Sequence, residues 1–172
     1  VAKLSQNVSQ FPNIIVNGCG LSDNEGVVKV KYFPDHPSLS TTTEYPHDLE
    51  HLVTYGYVIT GDSYVQRHRI VQVNFLKVDV EGAEHLVFGG LSKTIREGRI
   101  DVIQFEYGKV NILTKFLLRD IYEFLQNNGY VVGKIYPNYV DFRDYDLSHE
   151  DFYGPNYVAV RKEHHGLTKL LA

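Results

Sequence analysis

The sequence predicts an α/β fold with a mostly parallel sheet and a final antiparallel strand. Three observations carry this. From Val73 onward, short apolar runs alternate with amphipathic stretches in the order strand, helix, strand, helix, strand, strand, and such alternation implies parallel strands covered by helices. The final pair, with a connector read as short, implies one antiparallel strand at the end. Between Phe75 and Glu84, a valine-rich run ends in Asp79-Val80-Glu81-Gly82 and passes into a helical pattern. That is a strand–turn–helix corner with acids at its mouth, and open α/β sheets bind ligands at the carboxyl ends of their strands.

Taken in order, Val1, Leu4 and Val8 share one helical face, and Pro12-Asn13 closes that helix. Ile14-Ile15-Val16 is β-branched and predicts a short strand. Val28, Val30 and Tyr32 alternate with Lys29 and Lys31, the period of a half-buried strand, here expected in a hairpin. Residues 34 to about 52 hold three prolines and little periodicity, a long loop of the kind that covers a site. Tyr57 to Thr60 predicts a strand, Ser63 to Arg67 a short helix, and Val73 to Asp79 the central strand. A helix follows from Ala83, is interrupted at Gly89-Gly90 and resumes to Gly98. Asp101 to Glu106 is a second buried strand ending in an acid. Leu113, Phe116, Leu117, Ile121, Phe124 and Leu125 recur at helical spacing up to Asn128-Gly129. Tyr130 to Tyr136 and Tyr157 to Arg161 are the remaining strands, separated by an acidic, aromatic, aperiodic stretch from Asp141 to Gly154. Residues 163–172 are expected to be a polar tail and residues 1–162 one domain.

The 172 residues suffice for one core, with 43% hydrophobic and 22% charged residues. A net charge of −4 gives no basic footprint for nucleic acid, and no apolar run approaches membrane-spanning length. One cysteine, Cys19, precludes an intramolecular disulfide, which fits a reducing, cytoplasmic setting. The oligomeric state is not legible.

Asp79, Glu81 and Glu106 end neighbouring strands, so they are expected to converge and to accept a proton or bind hydroxyls, amines or a cation. Glu81 or Glu84 could instead cap the helix that follows, and for Glu84 capping is favoured. His47 and His51 have i,i+4 spacing but no third ligand, so a solvated pair is expected; so is a solvated His164-His165. Cys19 reads as a small buried thiol. No Gly-x-Gly-x-x-Gly or P-loop occurs.

Phe75 to Glu84 closely resembles the signature of FkbM-type S-adenosylmethionine-dependent methyltransferases. Asn17 to Gly26 is similar to that family's segment after its third strand, Val58 to Val65 to the lead-in to its signature, Val102 to Glu106 to its next strand, and Gly154 to Val160 to its closing strand. The segments occur in family order over roughly residues 1–161. The resemblance implies a partial Rossmann-like class I methyltransferase fold and methyl transfer from S-adenosylmethionine to an oxygen of a small molecule or sugar. It implies that Gly20, Leu21, Ser22 and Asp23 lie near the cofactor with Asp79. Asp79 and Glu81 would face methyl donor and acceptor, with Glu106 beside them. The family's first strand, glycine-rich loop, first helix and second strand would precede Val1, so the chain reads as a carboxyl-terminal part, expected to bind cofactor weakly or not at all alone. Val73 to Asp79 should then be a sheet edge. Two rival readings are a non-catalytic module of the same fold and an unrelated α/β transferase with a carboxylate-bound metal. The loop from Pro34 to His51 and the stretch Asp141 to Tyr153 are the expected walls of the acceptor pocket. Tyr136, Tyr139, Tyr145 and Tyr153 are candidate stacking residues.

Overall fold

The computed structural model describes residues 1–44, 49–153 and 156–172. The chain begins with helix α1 (Ala2–Asn7), followed by three strands, β1 (Gly20–Ser22), β2 (Gly26–Tyr32) and β3 (Leu52–Thr60). They form a small sheet in the order β1-β3-β2, with β3 parallel to β1 and antiparallel to β2. Helices α2 (Gly61–Arg67), α3 (Glu84–Gly90), α4 (Ser92–Arg96), α5 (Val110–Thr114), α6 (Leu118–Asn127) and α7 (His165–Leu171) alternate with strands β4 (Val73–Val78), β5 (Ile100–Glu106), β6 (Tyr130–Ile135), β7 (Val140–Phe142) and β8 (Asn156–Arg161). These five strands form the main sheet, in the order β4-β5-β8-β6-β7.

The α/β class holds, but the sheet is not mostly parallel. Only β4–β5 pairs parallel; β5–β8, β8–β6 and β6–β7 are antiparallel. The reason is topological. The last strand in sequence is not added at the sheet's end but inserts between β5 and β6, so it turns two neighbour pairs antiparallel. β7 then adds a hairpin partner for β6, registered Ile135↔Val140, that the aperiodic stretch after Asp141 conceals.

Other expectations shift locally. Ile14 to Val16 forms no strand; Ile14 and Ile15 are exposed and enter no ladder, and β-propensity without a pairing partner does not make a strand. The helix expected across Leu113 to Leu125 divides at Lys115, whose φ of 57° breaks the helical hydrogen bonding. The Asp120 carboxylate then accepts from the Leu117 N–H at 2.9 Å and restarts the helix as α6. The expected polar tail is largely the helix α7, whose Leu167 and Leu171 pack on a buried cluster of Val102, Val140, Val158 and Val160.

The core lies between the main sheet and its helices. α6 buries Leu118, Ile121, Tyr122 and Leu125, one stripe at helical spacing, within the cluster that also holds Ile103, Phe105 and Tyr157. Each such aliphatic side chain contributes roughly 1.5–3 kcal/mol by leaving water. Among the described residues β4 has a neighbour on one side only and is a sheet edge, as expected, with Phe75 56% exposed. Its register with β5 pairs Val78 with Phe105, so Asp79 and Glu106 emerge at adjacent strand ends.

The two sheets are joined through helices. The Thr60 hydroxyl accepts from the Ser63 N–H and caps α2, and the Asp62 carboxylate accepts from the Lys93 and Thr94 N–H groups at the start of α4. α3 packs on β1 at Gly90, where a Cβ would lie 1.9 Å from the Ser22 carbonyl oxygen. The glycine that interrupts the helical pattern is therefore the contact that lets α3 and β1 touch. Gly90→Ala is expected to destabilise the protein by roughly 1–3 kcal/mol through this overlap, read as a lower urea midpoint. Gly166→Ala, in α7 with no atom within 4 Å of its added carbon, is expected to be neutral or to stabilise by up to about 1 kcal/mol.

Candidate functional site

The site is built where β4 and β5 end. Ligand oxygens of Asp79, Glu81 and Glu106 lie within 4.8 Å of one another. Asp79 follows β4 directly, and Glu106 is the last residue of β5. Glu81 reaches the group from the turn because its backbone is left-handed, with φ of 51°, followed by Gly82 at 97°. A side chain at residue 82 would meet Val110 at 2.5 Å as well as carry backbone strain, so the turn needs glycine there. The Thr41 hydroxyl, buried in the long loop, donates to the Glu81 carbonyl oxygen at 2.7 Å and accepts from the Thr43 N–H. Thr41 is itself tied to β2 by two backbone hydrogen bonds with Lys31. The loop thus clasps the turn that carries Glu81.

Three carboxylates this close cannot all stay ionised without compensation, and their surroundings divide them. Lys77 Nζ lies 2.6 Å from Asp79 Oδ2 and holds the Asp79 carboxyl below its usual range, against burial and with help from a hydrogen bond to Glu106. Glu106 is pushed up to about 7, first by burial, then by sharing that hydrogen bond with Asp79 and by the nearby charges of Glu81, Asp79 and Glu84. Burial, with Asp79 and Glu84 behind it, also raises Glu81. Near neutral pH the group therefore holds an ionised Asp79 and a proton on Glu106 that comes off readily. Such a pair can take a proton from a hydroxyl or amine; fully ionised, the three oxygen donors could share a cation.

Glu84 plays a different part. It is buried, its Oε1 accepts from the Val80 and Gly82 N–H groups, and burial raises its pKa. It braces the turn from the start of α3 by bonding N–H groups that precede the helix; it is not the helix cap expected, and among the described residues α3 has no side-chain cap bond.

Two cavities flank the carboxylates. The larger, ≈ 690 Å³, lies between β1 and the end of β4 and is lined by Gly20, Leu21, Ser22, Val58, Asp79 and Val80, among others. The smaller, ≈ 270 Å³, is lined by Glu81, Glu106, Lys109 and Phe152, with Leu39 and Val110. Thr41 lines both. Gly20, Leu21 and Ser22 thus share a cavity with Asp79. Asp23 does not line it; it bonds the Ser22 hydroxyl and abuts Gly89 of α3.

The remaining candidates scatter. His47 lies outside the described residues, and His51 rests against the Phe33 ring. His164 is paired rather than solvated, its Nε2 3.1 Å from an Asp101 oxygen. Cys19 is a half-buried free thiol. Tyr136 and Tyr139 stack on each other, the Tyr145 hydroxyl donates to Glu150, and Tyr153 is exposed; none of the four lines either cavity. Phe152, in the same aromatic stretch, does. Sequence reasoning also missed Thr41 and Lys77. The alternation along β4 could have flagged Lys77 beside Asp79; nothing local marks Thr41 among its threonine neighbours.

The family model of the methyltransferase FkbM domain matches residues 12–132, well over half of the chain. The chain belongs to that family. No match is found among curated proteins or among solved structures.

The carboxylates set a pH dependence of stability. Because Glu106 has a folded pKa of about 7 against 4.5 for the free side chain, the folded state holds an extra proton between those values. Its contribution is complete below about 4.5 and is lost as pH rises through about 7. Unfolding free energy is therefore expected to fall between pH 5 and pH 8 in urea titrations. Glu106→Gln is expected to flatten that slope, leaving the smaller share of Glu81 and Glu84. An unchanged slope in the variant would remove Glu106 as its source.

Proposed function

We propose that this member of the FkbM family acts in S-adenosylmethionine-dependent O-methylation of a small molecule or sugar, with the carboxylate group between the two cavities as its reaction centre. The observation that carries this reading is the convergence of Asp79, Glu81 and Glu106 on the boundary between a larger and a smaller cavity.

The larger cavity fits the nucleoside side of the cofactor. Its ≈ 690 Å³ is within the ≈ 300–1,000 Å³ range of small-molecule sites. Leu21, Val58, Val80 and Leu86 offer apolar walls for a purine, while Ser22 and Asp79 offer polar groups for a ribose or an amino group. When bound, the cofactor supplies an electrophilic methyl carbon and its own leaving group, so the protein's task is positioning and proton transfer. Asp79, held ionised by Lys77, provides a fixed negative charge on the cofactor side. The smaller cavity would hold the acceptor, with its hydroxyl within reach of Glu81 and Glu106. The hydroxyl proton passes to Glu106, which is better matched to this task near neutral pH than the low-pKa Asp79. Glu81 accepts a further hydrogen bond and orients the acceptor.

Two measurements test this. In amide NMR of the full chain, S-adenosylhomocysteine is expected to give saturable shifts at Gly20, Leu21, Ser22, Asp79 and Val80, reduced by Asp79→Asn; shifts scattered over the surface would sink the assignment. Methyl transfer, followed with radiolabelled cofactor, is expected to rise as pH passes through about 7. Glu106→Gln is expected to lower it on the order of 10²–10⁴-fold, the usual worth of a general base.

A further inference from the structure

We propose that the smaller cavity is a subsite for one uncharged pyranose ring, which stacks on Phe152 and donates its hydroxyls to Glu81 and Glu106. This rests on reading the carboxylate corner as the reaction centre, and it assigns the class of acceptor held there.

The lining has two chemical characters. Glu81 and Glu106 present hydrogen-bond acceptors, and Phe152, Leu39 and Val110 present apolar surface. A ligand satisfying both needs several donors on its rim and a C–H face, which is how a sugar ring is built. A purely apolar ligand would leave the carboxylates desolvated and unpaired, a costly state. Anions are disfavoured because Asp79 and Glu84 stand behind Glu81 and Glu106, while among the described residues Lys109 is the one cationic side chain in the lining. At ≈ 270 Å³ the cavity falls just below the usual ≈ 300–1,000 Å³ of drug-sized sites, so it suits one ring rather than a chain of them.

Phe152 is held for this purpose. One face of its ring stacks on Tyr107 at 5.4 Å and 24°, and Tyr107 is fully buried with its hydroxyl donating to Glu150. Glu150 also accepts from the Arg119 N–H and the Tyr145 hydroxyl, which fixes the segment leading to Phe152. Tyr107 backs the ring while Phe152 lines the cavity, and an anchored aromatic plane binds at little cost in conformational entropy.

The test is an amide NMR titration of the full chain with the methyl glycosides of glucose, galactose and mannose, alongside methyl glucuronoside and choline. At least one neutral glycoside is expected to shift Glu106, Gly108 and Phe152. Phe152→Ala is expected to weaken it roughly 3- to 10-fold, the worth of one aromatic contact, and Phe152→Tyr to preserve it. Should Phe152→Ala lose its dispersed spectrum, Phe152→Leu replaces it, removing the ring face while keeping the bulk. At pH 8 the uronate is expected to bind more weakly than the matching glucoside. The inference is overturned if no neutral glycoside shifts these residues, if binding is indifferent to the ring at residue 152, or if the uronate or choline binds as well as the sugars. Those results together with intact S-adenosylhomocysteine shifts at Gly20 to Ser22 would remove this inference alone. Glycoside binding without any cofactor shifts would instead remove the methyl-transfer reading.

Discussion

Parallel pairing of β4 with β5, in the one register that sets Val78 against Phe105, is the constraint on which the site depends. Successive strand residues face opposite sides of a sheet, so a one-residue slip would reverse the side on which each acid emerges. That register is secured by burial. Val78 and Phe105 are both in the core, and Ile103 with them, whereas a slipped β4 would turn Val78 outward. The electrostatic cost of gathering Asp79, Glu81 and Glu106 is thus carried by the apolar contacts of the strand residues that precede them. Lys77 and a proton on Glu106 keep the remaining repulsion modest.

Much of this was legible in the sequence, and what was not has identifiable causes. The strand–turn–helix corner could be read because every level agreed there: a valine-rich run, a glycine in a turn that runs through left-handed angles, and acids before a helix. The convergence of Glu106 could be read because two strands separated by a helix are expected to lie side by side. Strand order could not, because nothing within Asn156 to Arg161 says that it will insert between β5 and β6 rather than append to the sheet. Ile14 to Val16 shows the converse error, local propensity with no partner to satisfy it. The break at Lys115 is a single left-handed residue inside an otherwise regular apolar period, and a periodicity argument cannot see it. At the site, the tyrosines drew attention by number, yet Tyr136 and Tyr139 stack on each other, Tyr145 bonds Glu150 and Tyr153 is exposed; Phe152, with no polar handle, is the residue of that aromatic stretch that lines the smaller cavity.

Thr41 illustrates how the small sheet and the main sheet act together. It belongs to the loop after β2 but spends its hydroxyl on the carbonyl of Glu81, forty residues further along and on the other sheet's turn. Left-handed backbone at a residue such as glutamate costs energy and persists only where neighbours enforce it. Thr41 from one side and Glu84 from the other, through the Val80 and Gly82 N–H groups, supply that enforcement.

The open edge of β4 has a consequence beyond the site. A six-residue strand with free backbone groups and an outward Phe75 is a template on which the same strand of another copy could add, building a continuous ladder between molecules. Lys77 stands in that strand with its ammonium directed to Asp79. Any second β4 laid alongside would bring a like charge against it or strip its water. The ammonium that keeps Asp79 ionised therefore also acts as a gatekeeper against self-association, so loss of charge at Lys77 threatens the shelf life of the protein as well as its chemistry.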